Sequence, residues 1–287
     1  MSLKIAVVTR DRYKTWELKA LHRAALRRGA QLALVDPLSW CVAGGELLDE
    51  RGLALGATVV LGRVDAGCLD EGIKLLWAAE SLGIPTVNGS RAFQTGRDKV
   101  LTALALRAAG LPHPRTWMLT PLAAQQARLP FPLVTKPRRG SCGRGVRLLD
   151  TPAALREAAR SARGPLLLQE YVAPVRQDLR LVVIGSRVVA AVRRRPAAGE
   201  WRANLALGAR AEPVTPAEET ASLAVRAAAS IGAAFAGVDL LETATGIFVL
   251  EVNVCPGFVG VSSATGVDVA GHLVDFLKEY GKAGGGT

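Results

Sequence analysis

Residues 236–257 read AGVDLLETATGIFVLEVNVCPG. Two runs of strand-forming residues flank Ala244-Thr245-Gly246, the pattern of an antiparallel hairpin with a three-residue loop and Gly246 in the left-handed position. Counting outward from a Thr243–Ile247 pair sets Asp239 opposite Glu251. Asn253, two residues further on, shares their face. Like charges so placed repel by about 3–4 kcal/mol at about 5 Å and an effective dielectric near 20. A cation would remove that repulsion, and three hard oxygen donors suit magnesium better than zinc. The bland alternative is that one acid turns to solvent or meets an arginine. The hairpin by itself leaves both open.

A chain of 287 residues can bury a proper core in two or three domains. Its composition is globular, 49% hydrophobic and 21% charged. No repeat of fixed period appears, and low complexity is confined to the tail from Ala283 to Thr287. MSLKIAVVTR enters a strand directly, without a signal-peptide layout, and no run of 18 apolar residues exists. A cytoplasmic protein with no membrane partner is expected. Cys41, Cys68, Cys142 and Cys255 form no Cys-x-x-Cys pair and have only three histidines for company, which disfavours zinc and suits free thiols.

The net charge of +11 is concentrated: residues 130–210 hold 16 Lys/Arg against 5 Asp/Glu, while the remainder is balanced. A polyanionic ligand is implied, whether nucleotide phosphates, an acidic substrate or nucleic acid. An arginine-rich proteome would explain the choice of Arg over Lys, but not the placement.

Residues 1–95 alternate strand (4–9, 31–36, 57–62, PTVN) with helix (14–28, 70–82), the order of a small parallel sheet with helices on its faces. The first strand runs into Arg10-Asp11-Arg12 with no glycine fingerprint, and no Walker A sequence exists. A helix is expected over 97–109. Strands follow at 115–120, 132–137, 145–150 and 166–172, with a helix at 152–162. A hairpin over 178–185 and 187–195 turns at Gly185-Ser186. Helices at 215–234 and 268–280 enclose the opening hairpin. The expected fold class is α/β and α+β, divided at 1–95, 96–168 and 169–287.

Several polar features interrupt this frame. PLVTKPRRGSCGRGV sets Lys136 at a strand end, followed by Gly140, Gly143 and Gly145 with Arg138, Arg139 and Arg144 between them. Such a loop can turn its N–H groups around an anion, or be a plain mobile hairpin; the basic residues favour phosphate. In LLLQEYV, the strand edge at Gln169-Glu170-Tyr171 can read an adenine ring or merely meet solvent. Asp178 can serve a ribose or pair with Arg180. Asp98-Lys99 reads as an ordinary solvated helix start, and Arg193–Arg195 as the guard of an exposed sheet edge.

In order, DK, VTKPRRGSCGRGV, QEYV, QDLRLVVIGSRVVAAVRR, WRAN, AGVDLL and LEVNVCPGFVG resemble the ATP-grasp superfamily, and within it the RimK-like carboxylate–amine ligases that include alpha-L-glutamate ligases. The likeness runs over nearly the whole chain. It implies a pre-ATP-grasp α/β domain for acceptor binding, followed by a two-lobed ATP-grasp fold that holds ATP and two Mg2+ (or Mn2+). Lys99 and Lys136 would contact phosphates, under a loop formed by Gly140, Ser141, Gly143 and Gly145. Gln169, Glu170, Tyr171 and Val172 would line the adenine pocket, with Asp178 on the ribose. Arg202 and Asn204 would reach the terminal phosphates, with Lys136 and Arg202 the catalytic cations. Arg180 and Arg194 would face substrate, and Asp239, Glu251 and Asn253 would hold the metals.

The implied reaction phosphorylates a carboxylate and lets an amine displace the phosphate. It needs alignment and charge stabilisation more than a protein nucleophile. The partners implied are an amino acid and a carboxylate acceptor: a small molecule, a coenzyme or a protein C-terminus. Homodimers or homotetramers are common by resemblance. The stretch after Asn204, Leu205-Ala206-Leu207-Gly208, lacks the basic residue and paired glycines usual in ribosomal-protein-modifying members, whereas CPGFVG is similar to the glutamate-adding branch. Competing expectations are a lysine/arginine-biosynthesis ligase working on a carrier protein, a non-catalytic nucleotide sensor and an RNA-binding protein. The last is disfavoured because the basic block lacks interleaved aromatics.

Overall fold

The computed structural model describes residues 3–11, 14–140, 145–172, 177–196 and 209–284. Its first sheet is parallel, in the order β2-β1-β5-β6. It is built from β1 (Lys4–Val8), α1 (Trp16–Arg27), β2 (Gln31–Val35), the small hairpin β3 (Cys41–Ala43) and β4 (Glu46–Leu48), β5 (Val59–Gly62), α2 (Leu69–Ser81) and β6 (Thr86–Val87). The helix α1 forms where Thr15 caps the Leu18 amide and Leu18, Leu21, Ala24 and Ala25 recur on one face, all buried.

After α3 (Ser90–Gly96) and α4 (Lys99–Ala108), a second sheet in the order β7-β10-β8-β9 is antiparallel. It contains β7 (Thr116–Leu119), α5 (Pro121–Gln126), β8 (Leu133–Lys136), β9 (Arg147–Leu149), α6 (Pro152–Ser161) and β10 (Leu166–Glu170). The third sheet, β13-β12-β11-β14-β15, is also antiparallel. It comprises β11 (Asp178–Ile184), β12 (Arg187–Arg195), β13 (Arg210–Pro213), α7 (Glu218–Ser230), β14 (Phe235–Thr243) and β15 (Gly246–Asn253), followed by α8 (Val259–Thr265) and α9 (Val269–Lys282). No helix among the described residues is long and apolar enough to cross a membrane.

The decisive hairpin differs from its expected form in two ways that cancel. Thr243 pairs with Gly246, so the turn is one residue shorter than expected; a bulge at Leu250 then restores the count, and Asp239 still faces Glu251. Arg193–Arg195 do not guard an edge, because β13 pairs along Arg193, Arg194 and Arg195. The helix expected over 97–109 begins at Lys99, since Asp98 caps it, and α3 precedes it separately. The boundary expected between 168 and 169 falls inside β10.

Apolar burial divides differently from the sheets. Side chains of the first sheet (Ala6, Val8, Val60) and of α2 (Leu75) share one core with those of the third sheet (Leu181, Val238, Val252), and Ile5, Leu18 and Leu61 share another with Val192, Phe235 and Leu273. The second sheet has its own small core of Leu133, Leu149, Leu155, Leu166 and Leu168. Asn88, buried at the end of β6, fastens the first sheet to the third. Its Nδ2 donates to the carbonyls of Phe235 (2.5 Å) and Val254 (2.7 Å), and its Oδ1 accepts from the Ala234 and Phe235 amides at 3.0 Å each. Its φ of +52° is one that Asn tolerates better than most residues. Asn88→Ala should therefore lower unfolding free energy by about 2–4 kcal/mol in denaturant titration. Asn88→Gly should do no better, because lost hydrogen bonds outweigh the eased φ.

Candidate active site

The β8–β10 register pairs Lys136 with Leu167 and Val134 with Gln169, so Lys136 and Gln169 lie on one face of the second sheet, opposite its small core. Lys136 Nζ donates to Gln169 Oε1 at 2.8 Å. Burial depresses the lysine to about 8; Lys99 pushes the same way, and Glu251 opposes them.

A residue that the sequence did not single out sets the other end of this contact. His113 Nδ1 lies 2.6 Å from the Val249 carbonyl, an acceptor only, which puts the ring proton on Nδ1 and leaves Nε2 to accept. Thr116 donates to the Pro114 carbonyl at 2.9 Å. The Gln169 amide can then direct its two protons to Thr116 Oγ1 (3.0 Å) and His113 Nε2 (3.2 Å), turning Oε1 toward Lys136. Burial lowers the His113 pKa, in keeping with a neutral ring. A lone histidine between two prolines carries no local signal of this role.

Asp98-Lys99 is more than a solvated helix start. Buried Asp98 caps α4 through the Val100 and Leu101 amides and accepts from Arg138 Nε at 2.5 Å. Lys99 Nζ reaches the Gly140 carbonyl at 2.9 Å and Glu251 Oε1 at 3.4 Å. The start of α4 thus grips the first half of the glycine-rich loop. Gly145, at its far end, has φ +71°, and a Cβ there would meet Pro137 Cγ at 2.8 Å. Ser141, Cys142, Gly143 and Arg144 lie outside the described residues, as do Arg202 and Asn204.

On the third sheet, Asp178, Arg180, Arg194, Asp239 and Glu251 line up across neighbouring strands. Arg194 forks onto Asp178 at 2.7 and 2.6 Å and reaches Asp239 Oδ2 at 3.1 Å. Arg180 donates through Nε to Asp239 Oδ1 and through Nη2 to Oδ2, the latter at 2.7 Å. Burial raises the Asp178 carboxyl to about 6 against the pull of Arg194. Burial acts on Asp239 too, but two guanidiniums hold its carboxyl below the ordinary value. The structural alternative for Asp239, an arginine partner, is the arrangement observed. Arg180 and Arg194 spend their donors on carboxylates, and Asp178 is paired with Arg194 instead of Arg180.

Glu251 and Asn253 are only partly buried and line a cleft of about 410 Å³ with Lys99, Arg97, Arg139 and Gly140. They offer a carboxylate and an amide oxygen to the cleft, while Asp239, across the strand from Glu251, has both oxygens engaged by Arg180 and Arg194. Among the described residues there is no cluster of three or more His, Cys, Asp or Glu that could hold a metal ion. This donor set fits a hard cation that takes its remaining ligands from phosphate and water. Glu170 does not join the cleft: its side chain, on the opposite face from Lys136, is forked by Arg115 at 3.0 Å twice. The Tyr171 amide donates to the Pro132 carbonyl at 3.2 Å, and Val172 follows just beyond β10.

A RimK-like ATP-grasp domain model matches residues 97–277. A Serratia proteamaculans (strain 568) protein named "Probable alpha-L-glutamate ligase" is 33% identical over 294 residues, covering 98% of this chain and 98% of its own. One of the same name from Thioalkalivibrio sulfidiphilus (strain HL-EbGR7) is 36% identical over 292 residues, 96% of each chain. The fold is similar to that of the ATP-grasp ligase PsnB, solved with a minimal precursor, Mg and ADP: TM-score 0.75 at 21% identity, covering 98% of this chain and 99% of that one.

Lysine-selective NMR should find Lys136 titrating near pH 8. Because this lies below the ordinary 10.5, the folded chain sheds the proton first. Its contribution to stability is unfavourable below pH 8 and is relieved as pH climbs toward 10.5. His113→Leu should depress the Lys136 pKa further by letting the Gln169 amide turn over, and Gln169→Glu should raise it in either background. A Lys136 titration indifferent to both substitutions would contradict the network.

Proposed function

The chain belongs to the RimK-like ATP-grasp family and is thereby an ATP-dependent ligase forming carbon–nitrogen bonds; on that premise we propose that it joins L-glutamate or another amino acid to a carboxylate acceptor through an acylphosphate. The observation that carries this reading is the pairing of Lys99 with Glu251 in one cleft, with the buried Lys136 close enough to feel both charges. A buried lysine near another cation is destabilised until a polyanion arrives, and a nucleoside triphosphate supplies one.

In this reading Lys99 and Lys136 bind the phosphates, and the loop from Gly140 to Gly145 covers them. Glu251 and Asn253 would hold magnesium, joined by Asp239 once Arg180 and Arg194 release its carboxylate, two ions in the full proposal. Bound there, magnesium would neutralise charge that develops on the transferred phosphoryl group. The substrate carboxylate takes that group and ADP leaves; the amine then attacks the acyl carbon and inorganic phosphate departs. The chain's own contribution is to align the reactants and to exclude water, which would hydrolyse the acylphosphate. The backbone of Tyr171 and Val172 is proposed to meet the adenine, as Glu170 spends its side chain on Arg115. The acceptor, a small acid, a coenzyme or a peptide C-terminus, is open to assay.

ADP release should be screened over amino acids and acidic acceptors, with mass spectrometry of the products. Magnesium-dependent nucleotide binding without ADP release from any carboxylate–amine pair would overturn the proposal. Glu251→Gln should reduce turnover at least about a hundredfold while leaving the melting temperature nearly unchanged. Lys136→Ala should act chiefly on the KM for ATP.

A further inference from the structure

Among the described residues, three arginines of the body formed by the first and third sheets are largely buried: Arg180, Arg194 and Arg63. The first two are matched by Asp239 and Asp178. Arg63 is 8% exposed, yet among the described residues no carboxylate pairs with it. Its Nη1 and Nη2 reach a single acceptor, the Pro256 carbonyl, each at 3.5 Å, and its guanidinium stands 5.8 Å from the Phe258 ring centroid. A guanidinium has five N–H donors and does not deprotonate, so burial without a counter-ion is costly. Asp11 is the acid nearest in influence, but its oxygens accept from the Lys14 and Thr15 amides.

Position adds a second argument. Arg63 follows β5, and its amide donates to the Val8 carbonyl at 3.1 Å. In the order β2-β1-β5-β6 the chain turns from one side of β1 to the other, and open parallel sheets bind ligands outside their carboxyl ends at such a point. Pro256 stands three residues beyond Asn253, and Arg97 donates to the Val64 carbonyl at 2.9 Å while lining the same cleft as Lys99 and Glu251. The unmatched charge therefore sits at the junction of the sheet end and the loop that follows the proposed metal ligands.

We propose that Arg63 is the seat for an oxyanion of the substrate, a non-reacting carboxylate of the acidic amino acid. A planar carboxylate can take two parallel N–H donors from a guanidinium, and the enclosed setting strengthens that contact. The ligand's identity rests on the ligase reading; the unmatched guanidinium does not.

Calorimetry on the full chain tests this, with L-glutamate titrated in the presence of Mg2+ and AMPPNP, and AMPPNP and inorganic phosphate titrated separately. Arg63→Gln should weaken L-glutamate at least about tenfold and leave AMPPNP affinity unchanged. Arg63→Lys, which keeps charge but not the fork, should fall between and guards against a glutamine variant that folds poorly. Three results would overturn the proposal: L-glutamate affinity unaltered in both variants, AMPPNP or phosphate affinity falling in step with it, or no L-glutamate binding by the wild type. A lowered melting temperature with unaltered L-glutamate affinity would instead make Arg63 a structural tie to Pro256. ADP release assayed in parallel separates the two ideas. Arg63-dependent binding without ADP release sinks the ligase reading alone, and turnover indifferent to Arg63 sinks this site alone.

Discussion

Buried charge in one face of the third sheet is the constraint on which the rest depends. Asp178, Arg194, Asp239 and Arg180 form an alternating row with almost no access to water, so each group must find its opposite within the row. Asp239 takes two guanidiniums and Asp178 one, and their carboxyls are displaced in opposite directions for that reason. Desolvation argues against such a row as a source of stability; alignment is the better account of it. By fixing β11, β12 and β14 in register, it holds Glu251 and Asn253 at the wall of the cleft.

The division of the core determines what can move relative to that wall. The first and third sheets bury their side chains against one another and are joined further through Asn88. The second sheet packs against its own helices. Polar contacts carry much of its attachment: Arg138 to Asp98, Lys99 to Gly140, His113 to Val249 and, at 3.7 Å between exposed groups, Arg139 to Asp70. Exposed ion pairs of the last kind contribute little. The cleft thus lies between a large body with shared cores and a small unit held largely by directional bonds, an arrangement suited to admitting a ligand.

Much of this was legible in the chain. The opposition of Asp239 and Glu251 follows from hairpin counting, although the observed turn is one residue shorter than the count assumes and a bulge makes up the difference. Lys136 and Lys99 were identifiable through motif order, but what surrounds them was not. His113 and Asn88 act through partners 136 and 147 residues away, on strands that local patterning cannot bring together. The partner of Glu170 is hidden for a related reason: strand parity fixes its face, but its pairing with Arg115 depends on how the strands come together.

The sequence by itself determined the alternation of strands and helices, the parallel first sheet, the pairing of the acidic hairpin and the concentration of positive charge. Those properties depend on short-range periodicity and on composition, which are written residue by residue. Tertiary structure alone decided that arginines neutralise Asp239, that a histidine orients the glutamine beside Lys136 and that Arg63 is buried with no carboxylate bonded to it among the described residues. Such outcomes depend on which distant groups are dehydrated together, and the cost of leaving a charge or polar group unmatched is set only when the sheets close on one another.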